Sequence, residues 1–170
     1  YPLSAVTRRP PFMYHAWGSQ NAWLRQITAR NFLYLHPDTA ARHGLADDDW
    51  VHVDSHQGRI TVQCRLAANV QPDTVWTWNA IGKRRGAWKL HKDAPESRKG
   101  FLLNHLISDI LPREGYANAD PVTGQAAWFD LRVSIARAEP GEDSLPQFAP
   151  VDAGTPDPSP LRYGARFRKH

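Results

Sequence analysis

Apolar and polar side chains alternate with a period of two through several short runs, and those runs set the reading of the chain. Residues 50–55 and 60–66 alternate around the turn His56-Gln57-Gly58-Arg59, which predicts an antiparallel hairpin with one buried face. Residues 74–78, Thr-Val-Trp-Thr-Trp, follow the turn Val70-Gln71-Pro72-Asp73 and are rich in strand formers, and residues 131–137 alternate again. Residues 2–7 predict a first strand ended by Pro10-Pro11, and residues 31–35 a second. Between these strands, residues 36–44 carry helix punctuation: Pro37 at the first helical position, Asp38 in the first turn, and Arg42, His43 and then Gly44 at the end. Residues 101–111 are apolar on most sides and predict a short buried helix stopped by Pro112, and Asp120 to Gln125 reads as a turn. The result is a mainly β domain with short helices.

The period breaks in three places. The stretch after Pro10-Pro11 reads as a long loop to about residue 30, and residues 79–100 as an irregular basic segment carrying Lys83, Arg84, Arg85, Lys89, Lys92, Arg98 and Lys99. A loop of that length in a compact domain is either functional or disordered. Beyond residue 137 the composition changes, with six prolines and five acidic residues between Glu139 and Pro160. Such a segment cannot bury a core of its own. We therefore divide the chain into a domain over residues 1–137 and a Pro-rich acidic tail over 138–170, which ends in a basic aromatic peptide suited to docking or to solvent.

Composition narrows the class. A chain of 170 residues with 41% hydrophobic and 11% aromatic residues supports one core. No apolar run is long enough to span a membrane, and no signal segment opens the sequence, so direct membrane insertion is not expected. The first residue is not Met, and the chain is read as beginning inside a longer protein or after processing. Cys64, the single cysteine, stands in an alternating strand and is expected to be a packing residue; it leaves the compartment open, with cytoplasm slightly ahead of periplasm. His52 and His56 lack partners at metal spacing and are expected to be outward-facing strand and turn residues. No nucleophile triad or paired carboxylates are recognisable, so no catalytic or metal-ligating residue is assigned.

One stretch concentrates candidate binding chemistry. Residues 14–26, Tyr-His-Ala-Trp-Gly-Ser-Gln-Asn-Ala-Trp-Leu-Arg-Gln, combine amides, a glycine, an imidazole, indoles and an arginine, and no Asp or Glu occurs before position 38. Amides and backbone N–H groups satisfy a polar ligand from several sides, and arginine forks suit phosphate oxygens. The net charge of +4 is modest, yet Arg8, Arg9, Arg25 and Arg30 crowd this acid-free end.

In this order, Tyr1-Pro2-Leu3 with Thr7-Arg8-Arg9, the loop from His15, Leu35-His36-Pro37 through Gly44-Leu45, Asp49 to Val53 with Gly58, Val70-Gln71-Pro72, and the closing Asn104, Asp120 to Gly124 and Val133 resemble one family. It is the C-terminal molybdopterin-dinucleotide-binding domain of the dimethyl-sulfoxide-reductase-like molybdenum and tungsten oxidoreductases. The resemblance covers residues 1–137 and implies a six-stranded double-psi β-barrel. It implies a bis-molybdopterin guanine dinucleotide cofactor carrying Mo or W, with the metal ligated outside this chain. It places Thr7, Arg8 and Arg9 where the first strand meets the dinucleotide, and makes His15, Trp17, Gly18, Ser19, Gln20, Asn21 and Arg25 the contacting stretch. Asn79, Asn104 and Gln125 fall on later loops facing the pterin side; the competing role for Asn104 is a buried cap.

The Trp17 to Asn21 loop looks most like members acting on sulfur compounds such as sulfite, polysulfide or thiosulfate, with formate also open. The partners implied are the remaining domains or subunits of the oxidoreductase, including an iron–sulfur electron-transfer subunit. Relatives often carry glycine where this chain has Arg8, Asp48 and Asp73; the aspartates are expected to tolerate the left-handed backbone. Two other readings stand beside this one. A nucleic-acid or polyanion-binding barrel would use the interleaved Arg and Trp, although no nucleic acid is expected under the family reading, and a structural subunit would have lost its ligand.

Overall fold

The computed structural model describes residues 1–15, 17–18, 21–28, 30–79, 81, 100–108, 118–126, 130–139 and 147–148. Their elements are β1 (Leu3–Arg8), α1 (Ala22–Ile27), β2 (Leu33–Leu35), α2 (Pro37–Arg42), β3 (Trp50–Asp54), β4 (Gly58–Leu66), β5 (Thr74–Trp78), a 3₁₀ turn (Leu103–Leu106), β6 (Arg132–Arg137) and β7 (Gln147–Phe148). The strands are ordered β2-β5-β1-β6-β3-β4-β7, and a second pairing of β2 with β4 closes the first six into a barrel. Two pairs are parallel, β1 with β5 and β2 with β4, and the others are antiparallel. This is the mainly β six-stranded barrel expected of the sequence.

Period-two alternation fills the interior. Leu3 and Ala5 of β1, Leu33 and Leu35 of β2, Val51 and Val53 of β3, Ile60, Val62 and Cys64 of β4, Val75 of β5, and Val133 and Ile135 of β6 form one buried cluster. Branched residues dominate it, as suits a pleated surface. Phe101, Leu103 and Leu106 join the same cluster from the 3₁₀ turn. The helix expected over 101–111 is thus reduced to a single turn among the described residues; residues 109–111 lie outside them.

The hairpin pairs Val51 with Val62 and Val53 with Ile60, the register its alternation demands. In α2, His36 caps the first turn by accepting from the Asp38 N–H at 3.1 Å through Nδ1. Gly44 ends that helix at φ +63°, a left-handed position that suits glycine.

Several expectations need correction. His52 is not a solvent-facing residue: it is buried, on the strand face opposite Val51 and Val53, and its Nδ1 lies 3.0 Å from the hydroxyl of the equally buried Thr61. His56 is exposed, as expected. Residues 22–27, read as loop, form α1. The segment called a tail contributes β7, whose Gln147 and Phe148 pair with Arg59 and Gly58 of β4.

Of the two aspartates expected to tolerate a left-handed backbone, Asp48 does take one, with φ +65°, and its carboxylate pairs with Arg65 at 2.9 Å. Asp73 has no positive φ; it accepts from Ser4 N–H through its carbonyl and lies beside Arg42. Cys64 is fully buried, as expected, and burial among Asp47, Asp48 and Asp49 pushes its thiol up to about 12.

Candidate functional site

Two parallel strands that end together create the candidate site. In the register of β1 and β5, Thr7 lies beside Thr77 and Arg8 beside Trp78. One residue on, the Asn79 N–H donates to the Arg8 carbonyl at 2.9 Å. Both chain exits therefore leave the barrel at one end, and crevices outside the carboxyl ends of parallel strands are where ligands find polar backbone and loops. The loop after β1 folds back across this end and brings His15 Nδ1 to 3.5 Å from Asn79 Nδ2. The two nitrogens stand at the limit of hydrogen-bond distance, and the imidazole is exposed, open to a ligand.

The loop carries marks of constraint. His15 has φ +50°, uncommon for a residue with a side chain, and Gly18 has φ +81°. Held non-glycine residues of this kind concentrate where a ligand or switch over-determines the backbone. Tight turns link Trp17 N–H to the Tyr14 carbonyl at 2.9 Å and Asn21 N–H to the Gly18 carbonyl at 2.8 Å. Gly18 also approaches α1 closely, since a Cβ there would stand 3.1 Å from Leu24 Cδ1. Leu24, Phe12 and Trp78 pack with the buried Met13 and Ile81 in a small second core that seats α1 and the loop.

Side chains around the barrel end are held by aromatic contacts. The Arg8 guanidinium lies 4.9 Å from the Trp76 ring centre, and Trp76 stacks on Tyr34 at 4.0 Å with planes 7° apart. A cation over an indole face leaves its N–H edge directed away from the ring, available to an anion. Beneath this, Asn31 is 3% exposed and joins three segments. Its Nδ2 donates to the Trp78 and Phe101 carbonyls at 3.0 and 3.4 Å. Its Oδ1 accepts from the Thr77 hydroxyl at 2.9 Å and from the N–H groups of Phe32 and Trp78 at 3.1 and 3.3 Å. Asn31 thus fixes the end of β5 immediately before Asn79. No spacing or motif in the sequence singles it out; only the fold reveals it.

The residues expected to contact a ligand divide accordingly. Thr7, Arg8, His15 and Asn79 converge at the shared strand end, with Arg9, exposed, next along the chain. Trp17 and Gly18 lie in the constrained loop. Asn21 caps α1, its Oδ1 accepting from Trp23 N–H at 2.9 Å, and Arg25 stands half-buried in the last turn of that helix. Ser19 and Gln20 lie outside the described residues, as does the basic run 83–99.

Asn104 is exposed in the 3₁₀ turn and is not the buried cap considered for it, since that turn has no side-chain cap. Gln125 is exposed on a loop organised by Asp120, whose Oδ1 accepts from Val122 N–H, Thr123 N–H and the Thr123 hydroxyl. Those bonds, chiefly from Thr123, hold the Asp120 carboxyl below its usual range. Among the described residues, no hydrogen bond joins Asn104 or Gln125 to the His15–Asn79 pair.

This donor set fits a polar anionic ligand with ring amides. Among the described residues the buried Asn79 Oδ1 has no hydrogen-bond partner, and a buried acceptor left unmade costs on the order of 1–3 kcal/mol. A ligand N–H would satisfy it, while Arg8 and Arg9 supply forks for phosphate. Among the described residues, no group of three His, Cys, Asp or Glu side chains could hold a metal ion.

Comparison with known proteins gives a consistent picture. Residues 3–119 match the family described as the molydopterin dinucleotide binding domain. The chain is 55% identical over 157 residues to a sulfite dehydrogenase subunit of Allochromatium vinosum, covering 89% of this chain and 16% of that protein. It is 27% identical over 138 residues to a putative dimethyl sulfoxide reductase catalytic subunit of Halobacterium salinarum, covering 81% of this chain and 14% of that one. In fold it is similar to acetylene hydratase from Pelobacter acetylenicus, with a TM-score of 0.61 at 17% identity, over 81% of this chain and 18% of that chain.

Proposed function

The chain belongs to the molydopterin dinucleotide binding domain family, and we propose that it clamps a bis-molybdopterin guanine dinucleotide as the C-terminal part of a molybdenum or tungsten oxidoreductase acting on a sulfur compound. Among sulfite, polysulfide, thiosulfate and formate, sulfite is favoured by the 55% identity to a sulfite dehydrogenase subunit. The chain spans 16% of that relative's length, so the activity belongs to a larger assembly. That assembly contains the remaining domains and, in this reading, an iron–sulfur electron-transfer subunit.

The observation that carries the reading is the shared end of β1 and β5, where Asn79 Oδ1, a buried acceptor with no partner among the described residues, lies beside His15, and the Arg8 guanidinium lies over Trp76. In the proposed roles, Asn79 accepts from a ring N–H of the cofactor, His15 offers its exposed imidazole, and Arg8 and Arg9 neutralise phosphate oxygens. Gly18 lets the backbone come close, and Trp17 offers an apolar face. Arg25 braces the same loop from α1, and Ser19, Gln20, Asn104 and Gln125 complete the proposed set from neighbouring loops. The bound cofactor supplies two-electron redox chemistry at its metal, and this chain orients the organic part and closes the site.

The test is cofactor retention by variants of the intact enzyme. Asn79→Ala and Arg25→Ala are expected to lower the guanine nucleotide recovered per protein several-fold, whereas Arg84→Ala leaves it near the parent value. Equal losses from all three would move the site elsewhere.

A further inference from the structure

The helix that follows the loop shows a face that neither the barrel nor the proposed cofactor contacts account for. In α1, Leu24 turns inward onto the second core, and no residue of the helix is buried. Trp23 and Ile27, four residues apart and hence on one side of the helix, are 77% and 61% exposed. A tryptophan carries 150–250 Å² of surface, roughly, and large apolar groups left together in water mark an interaction surface. Neither side chain of the pair is charged; the charged residue of the helix, Arg25 in its last turn, is half-buried, and no acidic residue precedes position 38 in the chain.

We propose that the Trp23–Ile27 face of α1 is the seat of another domain of the same polypeptide, docked through an apolar pocket that takes the indole. The proposal rests on the reading of this chain as one domain of a larger oxidoreductase. Two observations choose this occupant over a second copy or a separate subunit. The chain spans only 16% of a relative with which it shares 55% identity, so most of such a protein lies outside it. In addition, α1 is joined through Leu24 and Trp78 to the strand end that carries Arg8 and Asn79, where the rest of the enzyme must approach to share one cofactor. Docking at α1 would hold the loop from His15 to Asn21 between the two domains, making its conformation a property of the assembled enzyme.

The experiment places benzoylphenylalanine at position 23 of the full-length enzyme, with a second sample carrying it at the exposed Asp38 of α2 as reference. After irradiation, mass spectrometry is expected to find the position-23 probe joined to a peptide of the same polypeptide outside these 170 residues, and the position-38 probe not joined to it. Capture of a separate subunit, capture of a second copy, or no capture would each overturn the proposal. Guanine nucleotide content measured on the same samples separates the two readings: enzyme that keeps its cofactor without forming the cross-link refutes the docking face alone, while active enzyme free of cofactor refutes the function. As a second measurement, the double variant Trp23→Ser with Ile27→Ser should speed trypsin release of this domain from the full-length enzyme at least fivefold, and an unchanged rate would count against the docking face.

Discussion

Replacing Asn31 tests whether the site is held from below by a single buried amide. Asn31→Ala removes two donated and three accepted hydrogen bonds, of which the shortest, from the Thr77 hydroxyl, measures 2.9 Å. Each net bond contributes about 1 kcal/mol, and the stranded Thr77 hydroxyl and Trp78 N–H add a desolvation cost of about 1–3 kcal/mol. The three bonds of 3.1 Å or less give about 3 kcal/mol, the longer contacts at 3.3 and 3.4 Å contribute less, and the stranded groups add to the sum, so a loss of about 4 kcal/mol or more is expected. Thr77→Val removes one partner with little change of shape and should cost about 1 kcal/mol. Because the two residues share a bond, the double variant should lose about 1 kcal/mol less than the sum of the single losses.

Asn31→Asp keeps the acceptor and turns a second oxygen toward two carbonyls. Burial raises the pKa of such a carboxyl, so that variant should be most stable at low pH and weaken as pH rises through the raised value. Urea unfolding followed by tryptophan fluorescence measures all four variants. A loss under about 0.5 kcal/mol for Asn31→Ala, or strict additivity with Thr77→Val, would refute the reasoning.

Other consequences can be checked in the same preparations. The Cys64 thiol should resist alkylation at pH 8 in the folded chain and react on unfolding; its folded value of about 12 stands above the ordinary 9.0, so the stability it contributes is present below pH 9.0 and is lost as pH climbs toward 12. Gly18→Ala should destabilise the loop by about 1 kcal/mol or more, because φ is +81° and the new Cβ meets Leu24, and it should lower cofactor retention with it. For Asp120, the pKa lies below 3.8, so its loop ordering is full above that value and is lost as pH falls through the depressed one; an NMR titration showing a midpoint at or above 3.8 would contradict the bonds from Thr123. Asn21→Ala removes the α1 cap and should cost about 1 kcal/mol of local stability, read by hydrogen exchange at Trp23 and Leu24.

What could be read in advance follows from how local each signal is. β5 was legible to the residue because its run of strand formers, Thr74 to Trp78, follows directly on a proline turn. The start and stop of α2 were equally local, in Pro37 and Gly44, whereas the His36 cap shows only in the fold. By contrast, α1 is a single short helix with no buried residue, stabilised by the Asn21 cap and by Leu24 reaching a core built from distant residues 13 and 81, so its period is too weak to see. His52 misled because alternation tells which side of a strand a residue takes, not whether that side is covered.

The candidate site was legible as composition, in the acid-free run of amides and arginines, and the family likeness put names to its residues. Its geometry was not legible, because the parallel pairing of β1 with β5 joins positions about seventy apart, and Asn31 bonds across 46 and 70 residues to Thr77 and Phe101. β7 escaped notice for a similar reason: it forms by backbone pairing with Gly58 and Arg59 inside a proline-rich stretch.

The central claim is that this barrel holds a molybdopterin dinucleotide through the shared end of β1 and β5. Purifying the intact enzyme with its natural partners and assaying released pterin, guanine nucleotide and metal tests it most directly. The account predicts molybdopterin and guanine nucleotide in equal amounts, with two of each for every Mo or W atom, and their loss with Asn79→Ala. An active, intact complex that releases none of the three would contradict it.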